Sequence, residues 1–415
     1  MTAQPQFMLV PSLACPAECL YCFGSREGPI MSLETVQTAL DFVAKIVGET
    51  GQQKVKITFH GGEPLMAGHG VFRQALEGLW ARFGRGGYEV GLQSNVWLLD
   101  DEFLQLFSEH DVEIGTSLDG PEEITDAQRG AGYFARTMRG IEFARKRGLK
   151  VGCIATFTPI SAPRWREVLD FFRKEQLGFS IHASVPWMGS EDNGRSLSVQ
   201  DYASLLREAL AYYVEHRRRM VVSSLDQMCQ GVAFGEGKVC TFRDCLGMFL
   251  AIDPSGDIYP CQRFCGMTAY RLGNLAERPT LSDLSDTPIA RQMVARETAV
   301  REACAECEHI EYCLGGCAYN AWSGGDTGRV RDPYCEAYWA IFAHIKQRLL
   351  QEMNSQANTK AIASDPISTG PHPLLRKGPL IELLERGAAS AGRTGANRAS
   401  SWMIHEDHED TRRKD

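Results

Sequence analysis

All but two of the fourteen cysteines in this chain fall into two groups far apart in the sequence, and that pattern limits its fold more than any other feature. Cys15-x3-Cys19-x2-Cys22 forms the first group. Cys240, Cys245, Cys261, Cys265, Cys304, Cys307, Cys313, Cys317 and Cys335 form the second, and only Cys153 and Cys229 stand apart. Grouped thiols at short spacings mean disulfides or metal chemistry, and the cell compartment decides between them. The start, Met1-Thr2-Ala3-Gln4-Pro5, lacks the basic and apolar segments of a signal peptide. No apolar run reaches the length of a membrane span. A cytoplasmic location is therefore expected, with thiolates holding zinc or iron–sulfur clusters. The net charge of -8 argues against a nucleic-acid partner.

The 415 residues suffice for two or three domains. Up to about residue 190, short apolar strands alternate with amphipathic helices. Strands are predicted at Phe7-Met8-Leu9-Val10, 55–59, 88–92, 112–117, 151–157 and 179–183. Helices are predicted at 33–47, with Ser32 as N-cap, at 134–147 and at 165–175. Repeated βα units imply a parallel sheet. Six strands fall short of an eight-stranded barrel, so the expected fold is α/β, a partial (β/α)6 TIM-type barrel, with its chemistry at the C-terminal strand ends. The expected layout is a barrel over 1–195, with a polar loop at 188–195, and a helical linker over 196–235. A small cysteine-rich domain follows over 236–353, with a hairpin at 249–259 and a closing helix. A largely disordered tail is expected over 354–415, with a short helix at 380–386.

Three cysteines without a fourth suit a [4Fe–4S] cluster with one open iron better than a structural zinc site, which wants four protein ligands. Cys15-Pro16-Ala17-Glu18-Cys19-Leu20-Tyr21-Cys22 resembles the CxxxCxφC signature of radical S-adenosylmethionine (SAM) enzymes, with Tyr21 as the aromatic φ. The resemblance implies that Cys15, Cys19 and Cys22 hold a cluster whose open iron SAM chelates. An electron from the cluster then cleaves SAM to a 5′-deoxyadenosyl radical. His60-Gly61-Gly62-Glu63-Pro64 follows the second strand and is similar to the family's GGEP motif, which binds the SAM amino group. Two glycines would let the backbone approach a ligand, and Glu63 can accept from an ammonium. Gln93-Ser94-Asn95 and Ser117-Leu118-Asp119-Gly120 resemble the family's polar strand ends, which implies that Ser94, Asn95, Ser117 and Asp119 contact the ribose and methionine parts of SAM. By the same resemblance Arg129 faces the SAM carboxylate, and 152–156 packs on adenine.

The second group resembles the SPASM domain, an extension of peptide-modifying radical SAM enzymes that holds two auxiliary [4Fe–4S] clusters. Carried over, the first cluster takes Cys245, Cys261 and Cys317, with Cys240 as fourth ligand. The second takes Cys304, Cys307, Cys313 and Cys335. A pair of zinc sites is the alternative. Cys265 is extra: it could replace Cys240, protect the cluster or be a buried thiol. Cys153 and Cys229 read as core residues; His69 and His182 read as packing histidines, with lining of the cavity as the alternative for His182. Trp187 and Met188 could line a substrate path or simply pack.

Sulfatase-maturating members of the family carry a basic aspartate after the cysteine matching Cys261. Here Gln262 and Arg263 follow it. The layout, including Cys22-Phe23-Gly24-Ser25-Arg26-Glu27-Gly28, looks more like the branch that modifies ribosomally made precursor peptides. The resemblance thus implies an enzyme that cross-links a precursor peptide by a thioether, carbon–carbon or ether bond. Formylglycine formation in a sulfatase is the alternative, and a non-catalytic electron carrier is a reading of another class. The expected partners are a precursor peptide, an electron donor such as flavodoxin or ferredoxin, and a separate leader-binding protein, because the first strand begins within ten residues of Met1. Closure of the first auxiliary cluster by Cys240 would favour electron transfer over binding of a substrate thiolate. No catalytic base is assigned.

Overall fold

The computed structural model describes residues 4–360 apart from Ser25, Trp187 and 189–193. The expected path role of Trp187 and the tail readings beyond 360 lie outside these residues. Six parallel strands run in sequence order: β1 (Gln6–Ser12), β2 (Val55–Gly61), β3 (Tyr88–Gln93), β4 (Glu113–Ser117), β5 (Val151–Phe157) and β6 (Phe179–Ala183). Helices Leu33–Thr50, Gly68–Phe83, Asp101–Glu109, Tyr133–Lys146 and Trp165–Glu175 connect them. The first is capped as its sequence dictates. Ser32 accepts from the Thr35 N–H, and Gly51, in the left-handed conformation at φ 64°, returns its N–H to the Val47 carbonyl.

Side-chain alternation divides the sheet into two faces. On β2, Val55, Ile57 and Phe59 are buried, whereas Lys56, Thr58 and His60 are partly accessible. On β5, Val151, Cys153, Ala155 and Phe157 are buried while Gly152, Ile154 and Thr156 are open. The apolar face packs against the helices, and the other lines the inside of the partial barrel.

Beyond the six strands the chain does something the local sequence did not announce. Strand β7 (Phe249–Ile252) pairs in parallel with β1, with Phe7 opposite Leu250 and Leu9 opposite Ile252. Strands β8 (Asp257–Tyr259) and β9 (Gly273–Asn274) follow antiparallel, so one nine-stranded sheet runs β6-β5-β4-β3-β2-β1-β7-β8-β9. The expected hairpin is present, but it belongs to the barrel's own sheet. Helix Cys335–Lys360 packs on helices Val199–His216 and Ser223–Phe234. Among the described residues no helix is long and apolar enough to cross a membrane.

Candidate active site

The first cysteine loop leaves β1 at Ser12 and is clasped at its base. Leu13 N–H donates to the Pro29 carbonyl, Cys15 N–H to that of Arg26 and Met31 N–H to that of Pro11. Burial first, then the nearby Glu63, Cys19 and Cys22, push the Cys15 thiol up to about 12 against a backbone hydrogen bond from Ala17. Burial also raises Cys19, opposed by the Arg129 cation. Thiols gathered in so dry a place ionise only beside a cationic partner, and the iron of a cluster is such a partner.

The two glycines of the second motif also have a job inside the fold. A Cβ on Gly62 would stand 2.4 Å from both the Leu13 and Ala14 carbonyl oxygens, and one on Gly61 would stand 2.5 Å from that of Ser12. Gly62 N–H donates to Ser12 O at 2.9 Å and Glu63 N–H to Ala14 O at 2.7 Å. The glycines therefore let the end of β2 lie against the cysteine loop, backbone on backbone. Pro64 starts the short 3-10 turn Pro64–Ala67. Glu63 is buried, and burial lifts its carboxyl to about 7. Its Oε1 accepts from Leu65 N–H (2.9 Å) and the Ser94 hydroxyl (2.8 Å), and its Oε2 from Asn95 N–H (2.8 Å). Three of about four lone-pair sites are used, which leaves one for a further donor.

Beside Glu63 the chain turns through Val96 in the left-handed region at φ 60°, a strained conformation for a β-branched residue. Ser94 Oγ and Asn95 Oδ1 hold the turn by accepting from the Val96 and Trp97 N–H groups. Asn95 Nδ2 and Thr116 Oγ1 are buried without a protein partner, which suits a polar ligand at these strand ends. Ser117 accepts from Gln93 Nε2 at 3.1 Å.

Asp119 is a hub. Its carboxylate takes Arg129 through Nε and Nη2, both at 2.8 Å, the Tyr21 hydroxyl and Gln128 Nε2, both at 2.7 Å, and the Thr156 N–H at 2.9 Å. Five donors saturate it, so Asp119 organises the site and has no lone pair to spare for a ribose. Arg129 spends two of its nitrogens on Asp119. Its Nη1 lies 3.8 Å from Cys19 Sγ, and its guanidinium sits 5.2 Å from the ring centres of both Tyr21 and Tyr133.

The second cysteine group divides in two. The Cys245 thiol is raised by burial first and then by Cys261, Cys317 and Cys240. Those are the four residues expected to share the first auxiliary cluster. Burial first, then Asp253, Cys261 and Asp257, raise the Cys265 thiol. Cys240 is exposed in area, yet burial pushes its enclosed thiol up to about 11. Cys304, Cys307, Cys313 and Cys335 line two adjoining cavities of ≈ 390 Å³ and ≈ 20 Å³ together with Arg331, His309 and Trp339.

Residues 9–172 match the radical SAM superfamily model and residues 240–308 the iron-sulfur cluster-binding SPASM domain, together more than half of the chain. The chain belongs to the radical SAM superfamily and carries a SPASM domain. It is 24% identical over 360 residues to a cysteine-type anaerobic sulfatase-maturating enzyme of Clostridium perfringens, covering 83% of this chain and 96% of that one. Its fold matches native anSMEcpe with bound AdoMet and Cp18Cys peptide at a TM-score of 0.75, with 23% identity over 85% of this chain and all of that one. It also matches Streptococcus suis SuiB bound to precursor peptide SuiA at 0.57, with 17% identity over 81% and 76% of the two chains. The protein is thus a radical SAM enzyme with SAM and [4Fe–4S] clusters as cofactors. The thiol groups and the orphaned donors described above suit both.

The radical SAM motifs mark the cofactor end of the barrel but not what supports it. Glu297 accepts from the Cys245 and Leu246 N–H groups at 2.9 and 3.0 Å. Buried Asp332 accepts from Cys317 N–H (3.0 Å) and Asn320 Nδ2 (2.9 Å). Both come from distant segments and carry no local signature. His69 is a satisfied surface residue bonded to Asp100 at 2.9 Å. His182, read as packing or lining the cavity, is accessible on the inner face of β6. Its imidazole is held down to about 4 by the surrounding protein and by Arg263, and is therefore neutral at physiological pH.

The Glu63 geometry gives a direct expectation. In Glu63→Gln one oxygen becomes an NH2 facing N–H or O–H donors, at a cost of about 1–3 kcal/mol. SAM affinity, read by equilibrium dialysis of the reconstituted protein, is expected to fall about tenfold. Unchanged affinity would remove Glu63 from the SAM site.

Proposed function

We propose that this radical SAM enzyme oxidises a ribosomally made precursor peptide, closing an intramolecular cross-link. The observation that carries the reading is Gln262. Sulfatase maturases resembling this chain place a basic aspartate there, whereas an amide takes up no proton near neutrality, and the next residue, Arg263, is a cation. Support also comes from SuiB, bound in its structure to the precursor peptide SuiA.

In this reading Cys15, Cys19 and Cys22 hold the SAM-binding cluster, Glu63 receives the SAM ammonium, and Arg129 Nη1 points to its carboxylate. Bound there, SAM supplies on one-electron cleavage the radical that removes a hydrogen atom from a peptide carbon. A cross-link needs a second hydrogen to leave the peptide, as a proton and an electron. Cys240, Cys245, Cys261 and Cys317 fill every iron of the first auxiliary cluster, so that site accepts the electron and not a substrate thiolate. Cys304, Cys307, Cys313 and Cys335 would hold the second cluster, through which the released electron would leave, while a flavodoxin or ferredoxin would supply the electron that SAM cleavage consumes. Leader recognition falls to the barrel rim, the tail or a separate protein.

The second reading, formylglycine formation, is favoured by the likeness to a sulfatase maturase. Anaerobic turnover followed by mass spectrometry separates the two. A precursor peptide encoded beside the enzyme is expected to lose two hydrogens and resist unfolding of the link by reduction. An aldehyde on a sulfatase-type peptide, with no change in the precursor, would overturn the proposal.

A further inference from the structure

We propose that Arg263 is a positioning residue that raises the reduction potential of the first auxiliary cluster and ties that cluster to the SAM-cluster loop. The inference rests on the ligand set given above for that cluster.

Arg263 lies in the 3-10 turn Gln262–Phe264, two residues past Cys261. Its guanidinium stacks over the Tyr319 ring at 4.0 Å from the centroid and over the Phe23 ring at 5.0 Å. Nη1 donates to Asn320 Oδ1 at 2.7 Å and lies 3.9 Å from Cys317 Sγ, within reach for a sulfur acceptor. Asn320 is itself fixed by the buried Asp332, which also takes the Cys317 N–H. Phe23 follows Cys22, and Tyr319 follows Cys317 by two residues. One cation is therefore clamped between the two cysteine loops by two aromatic faces.

Among the described residues no carboxylate pairs with this guanidinium, whereas Arg82, Arg147, Arg291 and Arg301 each have one. The remaining candidate for its counter-charge is the cluster. Four thiolates outweigh the positive charge of a [4Fe–4S] core, so the complex is anionic and becomes more so on reduction. A fixed cation within hydrogen-bonding distance of one ligand sulfur stabilises the reduced form more than the oxidised one, which raises the potential. A lysine would keep the charge without the flat, forked contact.

The test is an EPR-monitored redox titration of the reconstituted holoenzyme, with iron content measured in parallel. In Arg263→Gln the oxidised-to-reduced ratio of the first auxiliary cluster, at fixed potential, is expected to rise at least about tenfold, a downward shift of about 59 mV for one electron. Arg263→Lys should shift it in the same direction by less. The second auxiliary cluster, away from Arg263, serves as the internal reference and should not move. An unchanged potential in a variant that holds a full iron complement overturns the proposal. If Arg263→Gln loads too little iron to read, Arg263→Lys decides by the same criterion. Cys317→Ala tests the ligand set separately. It should lose this cluster's signal and iron, and if it retained both the ligand set would fall whatever the Arg263 variants do.

Discussion

Cys19→Ala is expected to lower release of 5′-deoxyadenosine from SAM by at least about a thousandfold, while the protein keeps the iron of its two auxiliary clusters. Cys19 is central in its loop: the Arg129 Nη1 stands 3.8 Å from its sulfur, and the next backbone donor, Leu20 N–H, is tied to the Gln128 carbonyl at 2.9 Å. Without that thiolate the loop offers two ligands where a SAM-cleaving cluster needs three. The thiols of the second group belong to a separate part of the structure, so their iron should stay. The matched control is Cys265→Ala, whose thiol lies near Asp253, Cys261 and Asp257. It is expected to keep the full iron content. Anaerobic reconstitution, iron analysis and product chromatography read both variants. Undiminished 5′-deoxyadenosine from Cys19→Ala would place the SAM-cleaving cluster elsewhere.

Arg129→Met is expected to cost about 3–5 kcal/mol of stability, the range found when one partner of a buried ion pair is removed. The Arg129 and Asp119 side chains are 6% and 0% exposed, so neither can turn to water for compensation. Tyr21, Gln128 and Thr156 would still donate to Asp119, but none carries the charge its carboxylate needs. The same change takes a cation from beside Cys19 and should weaken SAM binding as well. Denaturant unfolding of wild type, Arg129→Met and the double variant Arg129→Met/Asp119→Leu checks the cause. The double variant should recover much of the loss, since an apolar pair buries no orphaned charge. A single-variant loss below about 1 kcal/mol would show the pair to be incidental.

What could be read from the sequence, and what could not, follows from how local each signal is. Strands β5 and β6 and helix Trp165–Glu175 occupy the residues predicted for them, because period-2 and period-3.6 patterns are written into consecutive residues. Strands β1 and β2 run further, to Ser12 and Gly61, because their ends pair with each other through the cysteine loop. The metal-binding motifs were legible as thiols at short spacing. The job of Gly61 and Gly62 was not, since only the fold reveals that the nearest backbone belongs to residues 12–14. Asp119 read as a ligand contact, and its place as the hub that orients Arg129 and Tyr21 was not legible. For His182 the sequence left packing and lining the cavity as alternatives, and the side chain is accessible on its strand. Arg263 drew notice only as the neighbour of a missing aspartate. Its clamp needs Phe23, Tyr319 and Asn320, brought together from three segments.

The parallel pairing of β7 with β1 has a practical consequence. Six barrel strands expressed without the cysteine-rich part would leave β1 with a bare edge over Gln6 to Leu9, where the backbone groups that now bond β7 would lose their partners. Such an edge recruits other chains. The catalytic barrel is therefore not a detachable module, and cutting the chain near residue 235 should yield aggregates in place of a minimal SAM-cleaving fragment. The same ladder fixes the span between the first cysteine loop and the cysteines flanking β7 and β8. Backbone hydrogen bonds, which do not stretch as a linker would, set the distance an electron has to cross.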